Sequence, residues 1–454
     1  MSFVYLDVMI EMVLLFAKPS KPRHEASGEV MVPAKPHRRG ELTRRGFLSA
    51  ASGAALGLAA GGLLSGCADT TTPESPAPVD AGPGGIPLAR PDQPVTLPLY
   101  DDNTGIESGL QPEAGPLLMY NWIDYVNPTL IKSFERKYGA TVKITHFTSI
   151  DEAISKLTSG SVEFDVAVPG FADLPRLVAG KVVRPLNLDY IPNLKANVWP
   201  LLTDPWYDRG SRYSVPYGML STGISWRADK LPDFDPAKLD NPYDAFWQAT
   251  DIKGKVGMLD DQRDALAWTL LGNGVRDVNT GDPALINKAG DDLTELIGLV
   301  NLKFGVNDWE TLPSGALWLH QSWSGNMILA KNYLPKGTSI DTLRYWWPSE
   351  KGGVAKNDLL VTLRGGKNPV LAHLFLNHLL DSANAVENFS FTGFQQPVRG
   401  SEPDALVKAG LVPPNLRDTS LTEVQLRNAL VTAPLSQSAA AVWQDAWSKV
   451  KAAA

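Results

Sequence analysis

From residue 117 onward, short apolar runs alternate with segments whose apolar residues recur every three or four positions. The two periods predict strands and helices in turn. Leu117–Trp122 is strand-like. Pro128–Tyr138 sets Leu130, Ile131, Phe134 and Tyr138 on one face behind a first-turn proline, and Gly139 ends the helix. Thr141–Phe147 alternates as a strand, Ile150–Leu157 is a helix with Ile154 and Leu157 inward, and Phe164–Pro169 is a buried strand. Asp173 caps a short helix to Val178. This opening is βαβαβ, for which a parallel sheet with right-handed crossovers is expected.

Tyr213–Trp226 is extended and unusually long, and after it a second set begins. Lys255–Leu259 is a strand, Asp261–Leu271 and Pro283–Val300 are helices, Trp318–Trp323 is a strand, and Gly325–Tyr333 is a helix. Gly352–Asn357 reads as a loop before a return strand, Asp358–Leu363, and a helix over Pro369–Leu380. The C-terminal third is helical and closes with Ser436–Val450. Two α/β sets joined by long extended segments predict an α/β fold of two lobes with a cleft between them, and ligands in such sheets bind beyond the carboxyl ends of the strands. Trp122, Asp124, Phe171, Asp261 and Trp323 stand at such ends. Strand-end aromatics and carboxylates are what a cleft for an amphipathic cation requires.

The chain ahead of residue 117 has a different character. Arg44-Arg45-Gly46-Phe47-Leu48, an apolar run and Leu64-Ser65-Gly66-Cys67 read as a twin-arginine export signal ending in a lipobox, over residues 1–66. Cys67 is the only cysteine, which suits a lipid attachment point and rules out a disulfide within the chain. A spanning anchor over Phe47–Gly66 is the competing reading, weakened by its many Ala, Gly and Ser residues. The earlier apolar stretch, Met1–Phe16, is too short to span and carries Asp7 and Glu11, and Met31 is an alternative start. Residues 67–116 are rich in Pro, Gly, Ser and Thr and predict an extended tether, its end from Tyr100 to Glu113 packing loosely on the body.

Charge narrows the partners. Residues 1–66 hold eight of the 42 Lys and Arg and five of the 49 Asp and Glu, which leaves 34 against 44 and a net charge near −10 beyond the signal. Such a surface argues against nucleic acid and anionic membranes, and allows a cationic small ligand. Catalytic parts are wanting. There is no G-x-S-x-G, no Gly-rich phosphate loop before a helix, and no cysteine beyond Cys67. His373 and His378 stand five apart on one helix, which does not set both on one face for a metal, and His146 and His320 are isolated. No metal or other cofactor is called for.

Six motifs occur in an order that resembles the spermidine/putrescine-binding proteins of ABC importers. They are Tyr120-Asn121-Trp122-Ile123-Asp124-Tyr125, Phe164-Asp165-Val166-Ala167-Val168-Pro169, Tyr213-Ser214-Val215-Pro216-Tyr217, Asp260-Asp261-Gln262-Arg263-Asp264, Trp323-Ser324-Gly325 and Trp347-Pro348-Ser349-Glu350-Lys351-Gly352-Gly353. The resemblance implies a two-lobe type II periplasmic-binding fold with two hinge crossovers, near Leu220–Ile224 and Asn357–Asp358. One lobe would comprise 117–222 and 358–402, and the other 223–357 and 403–454. It implies a polyamine or related amine as ligand, an ABC permease in the cytoplasmic membrane as partner, and a monomer attached to that membrane through Cys67. A polyamine is an apolar rod with ammonium ends, so carboxylates should meet the ends and aromatic faces should flank the rod. By the resemblance, Asp261 and Asp264 bind one amine and Asp358 the other. Asp124 is the acid of the first motif, Trp122, Tyr125 and Trp323 form the aromatic box, and Phe394 stands where the family has a tyrosine.

Other readings stand beside these. Helix capping alone accounts for Asp261. Asp358 could be a turn residue, and Trp122, Tyr125 and Trp323 could be packing. Phe171, in Gly170-Phe171-Ala172, occupies a place where polyamine binders offer hydroxyls beside an aromatic. Lys356 departs furthest, standing where the family often has a stacking aromatic. In the cleft it would repel an ammonium and favour a zwitterion or an anion; from the loop it would point to water. A hydrolase built on Asp260, Asp261 and Asp264, or a surface lipoprotein without a cleft, are the alternatives from other classes.

Overall fold

The computed structural model describes residues 81–147, 150–160, 162–349 and 352–454, all within one compact unit. The signal motifs and Cys67 lie outside the described residues. Among the described residues no helix is long and apolar enough to cross a membrane.

The first set is β1 (Leu117–Trp122), α1 (Pro128–Tyr138), β2 (Val142–Phe147), α2 (Ile150–Thr158), β3 (Val166–Ala167) and α3 (Leu174–Ala179). Asn127 caps α1 by accepting from the Thr129 amide, and Gly139 closes it in the left-handed conformation with φ 69°. Asp173 does sit at the N-cap of α3, but its side chain makes no capping bond, because a 3₁₀ turn over Phe171–Asp173 leads straight into the helix.

Next comes β4 (Ser214–Arg227), whose fourteen residues are all buried. The second set follows as β5 (Val256–Met258), α4 (Gln262–Gly272), α5 (Pro283–Val300), β6 (Lys303–Phe304), β7 (Leu319–Trp323), α6 (Ser324–Ala330) and β8 (Leu343–Trp346). The chain returns through β9 (Val354–Thr362) and then α7 (Pro369–Leu379), α8 (Ser382–Thr392) and α9 (Gln437–Ala453). The short strands β6 and β8 were not legible in the hydrophobic pattern. Strands of two and four residues leave too little alternation to register.

All nine strands form one sheet in the order β2-β1-β3-β9-β4-β7-β5-β6, with β8 also paired to β4. The expected parallel sheet is therefore mixed. Pairs at the two ends (β1 with β2 and β3, β5 with β6 and β7) are parallel, and every pair involving β4 or β9 is antiparallel. The two central strands run through both sets, so the α/β units on either side hang from one antiparallel ribbon.

Its register shifts between Pro216 and Met219: Pro216 faces Leu359, and Met219 faces Asn357. Tyr217 and Gly218 fill the irregularity opposite Asp358, where a strand bends most easily. The expected loop at Gly352–Asn357 is largely strand, because Val354 and Ala355 pair with Thr222 and Ser221 of β4.

Two apolar clusters hold the sets. One includes Leu117, Met119, Phe134, Val361, Leu371 and Phe375. The other includes Ile224, Phe246, Leu266, Leu293 and Trp443.

Chain ahead of β1 joins the first cluster: Ile86, Ala89, Val95 and Leu97 are buried in it. The expected tether thus does not run free to residue 116. Its backbone is bonded to the segment before β4, the Val95 amide donating to Trp206 O at 2.8 Å, and Tyr213 Oη and Arg212 Nη1 donating to Pro98 O (2.6 Å) and Leu97 O (2.8 Å). Prolines lack the donor for a ladder, so side-chain donors from the body supply the bonds instead.

α9 docks through Trp443, which is wholly buried, donates from Nε1 to Thr280 O at 3.0 Å and lies beneath the Arg263 guanidinium, 4.5 Å from the ring centre. Trp443→Ala leaves a cavity in the second cluster and an unpaired carbonyl. We expect a loss of about 3–5 kcal/mol in a urea unfolding measurement.

Candidate ligand-binding site

The middle of the sheet brings the N-terminus of α4 against β4, β7 and β9. Asp261 caps α4, its Oδ1 accepting from the Asp264 amide at 2.9 Å. One turn on, Asp264 is fully buried and faces β4. Its Oδ1 accepts from Thr222 Oγ1 at 2.9 Å, and its Oδ2 accepts from Trp323 Nε1 at 2.7 Å and Lys356 Nζ at 2.8 Å. The ammonium also lies 5.9 Å from the centre of a Trp323 ring. Burial works against charge on Lys356, but the fields of Asp264, Asp261 and Asp358 and the bond to Asp264 outweigh it and raise its pKa. Burial raises the Asp261 pKa too, with the Lys356 charge pulling the other way.

Asp358 lies two residues beyond Lys356 on β9, on the same face, with buried Asn357 between them. Tyr125 Oη donates to its Oδ2 at 2.7 Å. The Tyr125 ring meets Tyr217 and Phe394 edge-on, with centroids 5.3 Å away in each case. Tyr217 Oη donates to Tyr125 O at 2.5 Å and accepts from Asn388 Nδ2 of α8 at 2.9 Å, so α8 fixes the pair from behind.

Gly218, in the β4 irregularity, makes this possible: a Cβ there would collide with the Tyr125 hydroxyl. Gly325 does the same for Phe394, whose ring carbons would lie 2.6 Å from an added Cβ. Burial pushes the Asp358 pKa up to about 6, against the lowering pull of the Tyr125 hydrogen bond and the Lys356 charge.

Seven of the ten expected residues therefore fall into two stations beside one ribbon. Asp261, Asp264, Trp323 and Lys356 form one, and Tyr125, Asp358 and Phe394 the other. Lys356 does not point from a loop to water, because its strand pairing turns it toward Asp264.

Three residues stay apart. Phe171 is buried and packs its ring on Trp206 and Tyr207, at 5.4 and 5.2 Å, although Gly170 bridges to Asp358 beside it. Trp122 packs on Phe147 at 4.5 Å. Asp124 is exposed at φ 52°, with no bond to either station among the described residues.

Thr222, Tyr217 and Asn388 complete the stations and were not singled out by sequence. Tyr217 stood within a quoted motif, but a threonine inside a buried strand and an asparagine inside a helix give no signal. Among the described residues, His320, His373 and His378 are buried in packing. His373 Nδ1 lies 2.6 Å from Pro369 O with its Nε2 accepting from the Asn187 amide, and burial lowers the His320 pKa to about 4. Among the described residues no group of three or more His, Cys, Asp or Glu could hold a metal.

Two carboxylates beside aromatic rings, Asp264 at the head of α4 and Asp358 on β9, lie where two α/β units meet on one ribbon, in a fold of the two-lobe type II periplasmic-binding class. Residues 129–411 match the bacterial extracellular solute-binding proteins, and the chain belongs to that family. A putrescine/cadaverine-binding protein of Pseudomonas aeruginosa is 26% identical over 304 residues, which span 64% of this chain and 81% of that one. The spermidine/putrescine-binding periplasmic protein of Escherichia coli is 26% identical over 294 residues, 64% of this chain and 80% of its own. Among solved structures, a putative spermidine/putrescine ABC transporter from Listeria monocytogenes superposes with a TM-score of 0.63 at 24% identity, covering 74% of this chain and 98% of that one. A lipoprotein of Treponema pallidum gives 0.62 at 20% identity, with the same coverage.

The buried pair can be tested directly. Asp264→Asn leaves Lys356 without its counter-ion, and we expect a loss of about 3 kcal/mol in urea unfolding, at the lower end for a broken buried pair because Lys356 is partly exposed. Asp264→Asn combined with Lys356→Met should recover most of it. Additive losses in the double variant would mean that the two side chains do not stabilise each other.

Proposed function

We propose that this chain is the extracytoplasmic receptor of an ABC importer and captures a linear amine, a polyamine or a relative of one, between its lobes for delivery to the permease. The observation that carries the reading is the pair of stations on β4 and β9. Each sets a carboxylate beside an aromatic neighbour, Asp264 with Trp323 and Asp358 with Tyr125; Asp264 is bonded to Lys356, and Asp358 is the carboxylate that would meet a ligand ammonium. A charge-assisted hydrogen bond to a carboxylate contributes about 1.5–3 kcal/mol, and a cation over an aromatic face about 0.5–2 kcal/mol, so such a station favours an ammonium over a neutral group of the same shape. The names of the relatives agree.

Closure would occur about the register shift in the ribbon, bringing 117–222 and 358–402 toward 223–357 and 403–454, in a protein acting as a monomer. A hydrolytic role for Asp260, Asp261 and Asp264 finds no support: Asp260 pairs with Lys451 at 2.9 Å, Asp261 caps α4, and Asp264 holds three donors.

Calorimetric titration across pH tests the site. An ammonium pairs with Asp358 only when the carboxyl is ionised, and its pKa is about 6 in the folded chain. Amine affinity should therefore be full at pH 7.5 and fall about tenfold by pH 5, with Asp261 titrating in the same sense. Stability of the ligand-free protein should move oppositely. The folded state binds this proton more tightly than the unfolded chain, so lowering the pH from above 6 toward 4 stabilises it. Amine affinity independent of pH over that range would remove Asp358 from the contact. Binding of anions alone would overturn the amine reading.

We further propose export through Arg44 and Arg45 and attachment to the outer face of the cytoplasmic membrane through lipid on Cys67. Cys67→Ala should move the protein from the membrane fraction to the soluble one. Continued membrane association would indicate a spanning anchor instead.

A further inference from the structure

The Asp264 station is already occupied by the protein itself. Both oxygens of the buried carboxylate are engaged, Oδ1 by Thr222 and Oδ2 by Trp323 and Lys356. The lysine also takes the place over the indole that a cationic ligand would need, 5.9 Å from a Trp323 ring centre. A ligand ammonium entering here would have to strip Lys356 from Asp264, and one of two cations would lose its partner at a buried carboxylate.

What remains unsatisfied is opposite in kind at the two stations. At Asp358, Tyr125 fills Oδ2, and Oδ1 has no donor among the described residues. At Lys356, Nζ gives one N–H to Asp264, and its other two have no acceptor among the described residues. The two side chains leave the same face of β9, with their Cα atoms about 7 Å apart along the strand. The ribbon thus presents a free acceptor at one point and free donors at the next.

We infer that Lys356 is a tethered ammonium standing in for one cationic end of a diamine, so that this receptor selects a linear monoamine whose ammonium meets Asp358 and whose far end is a hydrogen-bond acceptor facing Lys356. The ligand class is the ω-amino alcohols and ω-amino acids rather than the α,ω-diamines. Lys356 is paired with Asp264 at 2.8 Å, so that buried carboxylate needs no cation from the ligand to balance it. The inference rests on the amine-capture reading above and narrows it.

Titration calorimetry of the folded protein at pH 7.5 decides it, using the four- and five-carbon members of three matched series: α,ω-diamines, ω-amino alcohols and ω-amino acids. Within a length only the far end differs. We expect an acceptor-ended amine to bind at least about tenfold more tightly than the diamine of equal length. Lys356→Gln, which keeps a donor but removes the charge, should reverse that order, and Lys356→Arg should preserve it. A wild-type preference for the diamine overturns the inference while leaving amine capture standing. So does an acceptor preference that Lys356→Gln leaves unchanged. Should Lys356→Gln fail to fold, the wild-type ranking and Lys356→Arg still decide, since either showing the diamine first is a refutation. No binding by any member of the three series overturns the amine-capture reading itself.

Discussion

The antiparallel pairing of β4 with β9 is the constraint on which everything else rests. These two strands alone are shared by both α/β sets, and their register sets where Lys356 and Asp358 of β9 and Tyr217 and Thr222 of β4 point. Side chains alternate along a strand, so a slip of one residue would turn Lys356 and Asp358 into the sheet's other face. The shift at Pro216–Met219 lets the ribbon keep its hydrogen bonds on both sides while making room for Tyr217, Gly218 and the Tyr125 hydroxyl. The place where the ladder is weakest is thus also where the second station is assembled.

On that frame the electrostatics are local and costly. A buried carboxylate without partners would lose several kcal/mol of hydration. Asp264 avoids this with three donors drawn from three strands, so the charge holds β4, β7 and β9 to the head of α4. Asp358 is less well served, with one protein donor and a raised pKa, and it carries the unsatisfied acceptor of the site. The fully bonded carboxylate thus ties the strands together, and the less fully bonded one keeps an acceptor to spare.

The helices, the main strands and the two-set organisation were legible from hydrophobic period and turn residues, because local chain geometry alone imposes those patterns. So was part of the chemistry of the site: Asp261 and Trp323 stand out at a helix start and a strand end, and the resemblance to polyamine-binding proteins pointed to Asp264 and Asp358. The mixed sheet was not legible. Whether a neighbour is parallel or antiparallel depends on strands far apart in sequence, as with β3 and β9. The packing of residues 86–97 was obscured in the same way, since a proline-rich composition that reads as tether hides four side chains that find a place in the core.

The sequence by itself determined which residues could carry charge and aromatic surface, and roughly where the helices and strands would lie, since both follow from residue type and spacing. Only the tertiary structure decided which of them meet. Trp122, Asp124 and Phe171 have suitable chemistry but end up apart from the two stations, while Tyr217, from a quoted motif, and Thr222 and Asn388, with no distinguishing signal, complete them. The fate of Lys356 depended on whether residues 354–357 were loop or strand. Pairing of Val354 and Ala355 with Thr222 and Ser221 fixed them as strand and turned the lysine toward Asp264, a long-range hydrogen-bond register that no local pattern encodes.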